Sequence, residues 1–398
     1  MNVTSITPYR MSLRQRVILL VMLALGALSL HLVFKEDPNK GWMSYLIGSV
    51  LFLGMGLCGL FFVAIQHIVS ATWSTSMRRI AEAMALTLPV AAALGFGIYY
   101  GAHSIYEWTH TEVVNADPLL KFKEPYLNIS AFGWRLVAYF SIWIIATWLL
   151  VRNSMKQDHD GDVKRTIANR KWSALTLVLF ALSVTLAGFD LLMSLEPHWF
   201  STMFGVHFFA GFFQAGLAMT IILTWMAVRS GALRGFVNTE HFYDLGKFLF
   251  GFSIFWGYIV FSEFMLIWYA HLPEETFFYA VRMTNGWEWF GLAMLLIRLA
   301  FPFFVLIPYG SKRNMKILIP ACFVILVGQW VELFWLVKPS MRLMAEDHAT
   351  HASLAWTDLG VALGFFALFF LVVGLIMERI RIVPQKDPRL EASIHHHG

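Results

Sequence analysis

Residues 189–202 read FDLLMSLEPHWFST, and this stretch decides the fold. It sits between two long apolar runs and crowds together Asp190, Glu196, His198 and Trp199, with Pro197 placed to end a helix. A chain that leaves a membrane as one helix, turns within a few residues and re-enters as another has this composition. Asp190 lies inside the apolar run and Glu196 at its edge. An ionisable side chain at membrane depth is costly, so it marks a functional site by default.

Working outward, composition leaves one fold class. Hydrophobic residues make up 58% of the 398-residue chain and charged residues 14%, far from the roughly 25% charged of soluble domains. Mean hydropathy is +0.63. Apolar runs long enough to cross a bilayer are expected near 16–34, 43–69, 80–102, 129–151, 173–195, 200–228, 245–271, 287–309, 316–337 and 355–378. The expectation is an all-α polytopic membrane protein of about ten transmembrane helices, arranged as two four-helix bundles plus two flanking helices. The divisions are a tail at 1–15, a first flanking helix and outer loop at 16–42, bundles at 43–195 and 196–337, an outer loop and last flanking helix at 338–378, and a tail at 379–398. Pro89, Pro302 and Pro308 should kink their helices and free carbonyls in the bundle interior.

Basic residues set the orientation. About 21 of the 30 Lys and Arg fall in the tails and the connections near 70–79, 152–171, 229–247 and 310–316, against about 7 in the opposite loops. Both termini are therefore expected in the cytoplasm. The inner connections read as ordinary basic linkers. The opposite loops, 103–128 and 338–354, are long and rich in His, Glu, Asp and Trp, which suits either docking or plain solvated connection.

Depth counted along the helices brings ionisable residues together. Arg135 in the fourth span and Asp190 in the fifth should meet. Arg298 in the eighth has Glu263 of the seventh and Glu332 of the ninth on its outward side. His207 and Asp358 fall near the outer interface. These groups are either ion pairs that pin helices, or a proton route or the polar wall of a ligand pocket. Two acids around one arginine would leave a carboxylate free to titrate. On the inner side, His67, Arg79 and Glu82 form a smaller group, with Arg79 and Glu82 three residues apart on one helical face. An interfacial salt bridge is the plainer reading and a proton uptake point the sharper one. Glu196, His198 and Trp199 are expected as an outer docking or turn motif. The terminal His395, His396 and His397 belong to none of these sites.

Cofactor chemistry is narrow. Cys58 and Cys322 lie in apolar runs and form no CxxC or CxxCH motif, which argues against covalent haem or a self-contained iron–sulfur cluster. His31, His67, His103, His207 and His271 give no mid-membrane pair for b-type haem. No catalytic residue, metal site or nucleic-acid partner is expected.

Several blocks carry a family resemblance. They are Trp73-Ser74 with Arg78-Arg79 and Glu82, Pro125-Tyr126-Leu127-Asn128, Asp190 with Met193 through Thr202, Met265 through Tyr269, and Leu272-Pro273-Glu274-Glu275-Thr276. Between about Gly41 and Thr357 the chain resembles the smaller of the two polysulfide-reductase-type (NrfD-like) membrane subunits of alternative complex III, the ActF family. The resemblance implies a subunit of a quinol:cytochrome c or quinol:acceptor oxidoreductase in a bacterial inner membrane. Its implied partners are a second, larger NrfD-like subunit, an iron–sulfur protein, multi-haem cytochrome c subunits and a terminal oxidase. Iron–sulfur clusters and c-type haems would reside in those partners. For this chain it implies scaffolding, proton conduction and quinone or quinol binding by kinship. A proton-coupled secondary transporter and a purely structural anchor for outer-side redox subunits are the alternatives.

Overall fold

A computed structural model describes residues 7–344 and 351–397. Residues 345–350 of the expected 338–354 loop lie outside the described residues. The protein is an all-α polytopic membrane protein, and among the described residues ten helices are long and apolar enough to cross a bilayer. In order they are Leu13–Glu36, Pro38–Ile68, Thr75–Tyr100, Ile129–Asp160, Val163–Leu195, Phe204–Arg229, Thr239–Ala270, Trp287–Leu306, Met315–Leu343 and Trp356–Arg379.

Burial ranks the spans. The apolar window of the second span is 94% buried and that of the sixth 89%, against 17% for the first. The second and sixth are therefore the central helices. The second packs on the third and fifth, and the fourth on the fifth and third. The sixth packs on the seventh and ninth, and the eighth on the ninth and seventh. Contact of the sixth span with the second and fifth joins these two groups of four.

The first and tenth spans flank the rest and pack chiefly on each other. Their seam is made by small residues: Gly26 and Ser29 face Gly360 and Gly364, which form a GxxxG step. A Cβ placed on Gly26 would stand 2.3 Å from the Gly364 Cα, so only glycine lets these backbones approach. Leu13, Val17, Leu20, Val21, Leu25 and Leu28 remain exposed on the first span, the face a lipid tail would cover.

Capping chemistry makes some connections far shorter than expected. Asp37 alone joins the first two spans: its side chain accepts from the Asn39 and Lys40 N–H groups, and Pro38 starts the next helix. The polar 152–171 connection is mostly helix. The fourth span runs on to Asp160, Gly161 closes it at φ +67°, and Asp162 caps the fifth. The 103–128 loop instead folds into short helical turns.

Two prolines act as expected, each by its own route. The third span stops at Ala85 and restarts at Leu88, with Pro89 in the first turn of the new helix. In the eighth span a π-helical turn occupies Leu296–Ala300 just before Pro302. Proline has no N–H for the carbonyl four residues back, which is that of Arg298. That carbonyl accepts from Gln214 Nε2 at 2.8 Å instead.

The C-terminal tail is not a loose end. Ile382 and Val383 are buried, and Asp387 binds Arg78 at 2.8 Å. Ser393 Oγ donates to the Trp73 carbonyl at 2.8 Å, and His396 Nε2 meets Asp244 at 2.6 Å. The 70–79 connection, expected as an ordinary basic linker, is thus covered by the tail. His396, which the sequence reading set aside, takes part in that closure.

Candidate functional site: two buried polar systems

The second half of the bundle encloses a linear chain of charges. The π turn presents Arg298, which is fully buried. Its guanidinium meets Glu332 of the ninth span, donates to Gln214 Oε1 at 2.9 and 2.6 Å, and donates to the Gly211 carbonyl at 2.8 Å. The same cation lies 4.5 Å from the Trp256 ring centroid. Glu332 Oε1 is 2.8 Å from His207 Nε2 and accepts from Trp256 Nε1 at 2.7 Å. His207 Nδ1 is 2.8 Å from Glu263 Oε2. The order is Arg298–Glu332–His207–Glu263.

This corrects one expectation. Glu263 does not share Arg298 with Glu332, because His207 stands between the acids. His207, in the first turn of the sixth span, lies near the helix end where the sequence placed it, and is 3% exposed within the protein. Asp358 stays apart from the chain: it pairs with Lys338 at 3.0 Å and accepts from Ser44 Oγ at 3.2 Å.

Hydrogen bonding separates the roles. Both oxygens of Glu332 are engaged, whereas Glu263 Oε1 and Gln329 Oε1 are buried with no partner. A cavity of about 10 Å³ is lined by His207, Gln329 and Glu332, room for about one water. Charge counting adds a property. With Arg298 and Glu332 ionised, the cluster is neutral whether the remaining proton sits on Glu263 or on His207 beside ionised Glu263. A proton can move between the two without changing the net buried charge, so that step forms a contact ion pair 2.8 Å apart rather than an isolated buried ion.

In the first half, Asp190 is saturated. Arg135 holds it through two bonds, Nε–Oδ2 at 2.8 Å and Nη2–Oδ1 at 3.0 Å, and Tyr139 OH donates to Oδ2 at 2.7 Å. The guanidinium also donates to the Tyr126 carbonyl and lies 3.9 Å from that ring's centroid. Such a bidentate, fully used pair suits clamping two helices.

Below it runs a polar seam. On the fifth span Asn169, Ser173, Thr176, Ser183 and Asp190 are buried along one face; on the fourth, Tyr139, Trp143, Thr147, Ser154 and Asp158. Trp143 Nε1 donates to Ser183 Oγ at 2.8 Å, while the Thr147 and Ser173 hydroxyls have no partner. At the inner end Asn169 Nδ2 lies 3.4 Å from His67 Nε2.

The inner group is larger than expected. Arg79 and Glu82 form the expected salt bridge, and both are fully buried within the protein. Arg79 binds Glu82 at 3.2 Å and Asp158 at 2.7 Å, Arg78 binds Glu82 at 3.2 Å, and Ser154 Oγ donates to Glu82 at 2.8 Å. Burial alone would raise the Asp387 carboxyl, yet Arg78 and Arg389 together outweigh it and hold it well below the usual carboxylate range.

The outer motif is a knot rather than a docking surface. Glu196 and Trp199 are buried, which removes them from any surface contact. Glu196 binds Arg342 at 2.5 and 2.7 Å and accepts from Ser340 Oγ at 2.8 Å. Trp199 stacks on Phe278 at 3.8 Å, with Arg282 on the ring at 3.6 Å. Burial lowers Arg282 to about 10 against the pull of Glu196. Only His198 is partly exposed; it meets Asp117 at 2.5 Å and holds that carboxyl below its usual range.

Sequence reasoning missed Gln214, Trp256, Asp158, Arg282, Arg342 and Asp387. Gln214 had a signal, a lone amide in the middle of an apolar run. Asp387 had none. Among the described residues no cluster of three or more His, Cys, Asp or Glu could hold a metal ion. No protein-family model and no curated protein matches the chain.

Proposed function

We propose that the chain is a proton-conducting and scaffolding membrane subunit of a quinol:acceptor oxidoreductase, of the ActF (NrfD-like) kind found in alternative complex III. It would sit in a bacterial inner membrane with both termini cytoplasmic. Its partners would be a larger NrfD-like subunit, an iron–sulfur protein and multi-haem cytochromes c, with cytochrome c or a terminal oxidase as acceptor. The observation that carries the reading is His207 held 2.8 Å from each of two carboxylates, one of which keeps an unpartnered oxygen. A pin needs no such spare acceptor. The motifs quoted above supply the family part of the reading.

Within this system Glu263 and His207 exchange a proton, Glu332 and Arg298 fix the field, and Arg135–Asp190 clamps the first bundle. The cavity beside His207, Gln329 and Glu332 holds about one water, which suits a proton step.

The test is Glu263→Gln in the complex purified from its native host. Proton translocation per quinol oxidised should fall severalfold, while subunit composition by mass spectrometry and quinol oxidation itself persist. Unchanged translocation would remove Glu263 from the route. Purification without redox partners would overturn the family reading and make solute-driven proton uptake in liposomes the next assay.

A further inference from the structure

Where the third span breaks, the inner end of the bundle carries an open groove of about 350 Å³. Leu86, Trp148 and Met155 form its apolar wall, and Arg152, Lys156 and His159 its rim. The three rim residues follow at four- and three-residue spacing, which sets them on one face of the fourth span. The Arg152 guanidinium lies 4.6 Å from the Trp148 ring centroid. That contact positions the arginine and leaves its donors unneutralised.

The cations here are uncompensated. Among the described residues no carboxylate forms a salt bridge with Arg152 or Lys156. The two acids at this helix end are committed elsewhere, Asp158 to Arg79 at 2.7 Å and Asp160 to Arg165 at 3.1 Å. The C-terminal tail brings a further amine to the rim, for Lys386 Nζ donates to the His159 carbonyl at 2.5 Å.

Depth identifies the occupant. The fourth span has 32 residues, about 48 Å of helix against a hydrocarbon core of about 30 Å. Its last turns therefore stand at headgroup level, with Trp148 and Leu86 reaching into the acyl region. We propose that this groove binds an anionic phospholipid, its phosphate on Arg152 and Lys156 and one acyl chain along Leu86, Trp148 and Met155. Fixed positive charge over a concave hydrocarbon wall is the chemistry that such a lipid uses and a free phosphate cannot.

The experiment titrates the detergent-purified full chain with phosphatidylglycerol, phosphatidylcholine or inorganic phosphate, reading lipid retention by native mass spectrometry and the shift in Tm. Phosphatidylglycerol alone should be retained and raise the Tm. Arg152→Gln with Lys156→Gln should weaken it about tenfold or more. Lys164→Gln with Arg170→Gln, which removes the same charge from exposed sites outside the groove on the same inner end, should leave binding unchanged. Leu86→Trp, which fills the groove and keeps every charge, should also abolish retention, and it serves if the first pair fails to fold. Equal retention of phosphatidylcholine, equal loss in both charge pairs, full competition by phosphate, or binding unaffected by Leu86→Trp would each overturn the proposal.

Discussion

Removing the Arg298 charge while keeping its length, as in Arg298→Met, is the sharpest probe of the buried chain. The substitution strips Glu332 of its cation and frees Gln214 Oε1 and the Gly211 carbonyl, all in a fully buried setting. Breaking a buried pair by removing one partner costs about 3–5 kcal/mol. Glu332→Gln should cost a similar amount, since it leaves Arg298 with neutral acceptors only. The double variant leaves neither charge, so its loss should be close to that of one single variant. The coupling is then about 3 kcal/mol, far above the roughly 0.3–0.5 kcal/mol scatter of independent sites. Equilibrium unfolding in mixed micelles, read for wild type, both singles and the double, measures this cycle. Losses that simply add, or single variants each costing under about 1 kcal/mol, would show that water reaches the pair and would undo the argument for a desolvated relay.

The remaining expectations are separate in place and cause. Gly26→Leu should part the first and tenth spans and cost about 1–3 kcal/mol, as overpacking does, seen as lost cross-linking between cysteines on the two helices. Gly251→Leu, where an added Cβ meets nothing within 4 Å, is the control. Acid should release the C-terminal tail. The Asp387 carboxyl is held below its unfolded value, so its contribution is complete above about pH 3.9 and is lost as pH falls from there towards the folded value. Limited proteolysis of the tail should rise over that range in wild type. Asp387→Asn should show the elevated cleavage already at neutral pH and lose this acid step.

The ten spans were legible because a run of apolar residues has one way to satisfy its backbone in lipid. Arg135 meeting Asp190 was legible too, since two neighbouring antiparallel helices make depth a sufficient coordinate. Depth alone failed at His207. Its place between Glu263 and Glu332 depends on rotation about the sixth helix axis, which counting residues does not give. The freed carbonyl before Pro302 was expected in kind, while its partner Gln214 required knowing which helix faces the kink. Arg78 and Arg79 looked like loop cations because the covering segment, with Asp387 and Ser393, lies some three hundred residues away in the chain. Glu196 and Trp199 looked surface-bound because a turn between spans usually is. Here the outer segments around Phe278 and Ser340 close over them.

The π turn at Leu296–Ala300 has a bearing on how length varies in this chain. Such a turn contains one residue more than the α-helix it interrupts. Deleting a single residue there would restore an ordinary helix with the faces on either side still in phase, so the bundle could form. The same deletion would withdraw Arg298 from Glu332 and Gln214. Chain length at this point is therefore tied to the buried charge chain rather than to the fold, and a chain shorter by that one position would keep the architecture while losing the Arg298 contacts.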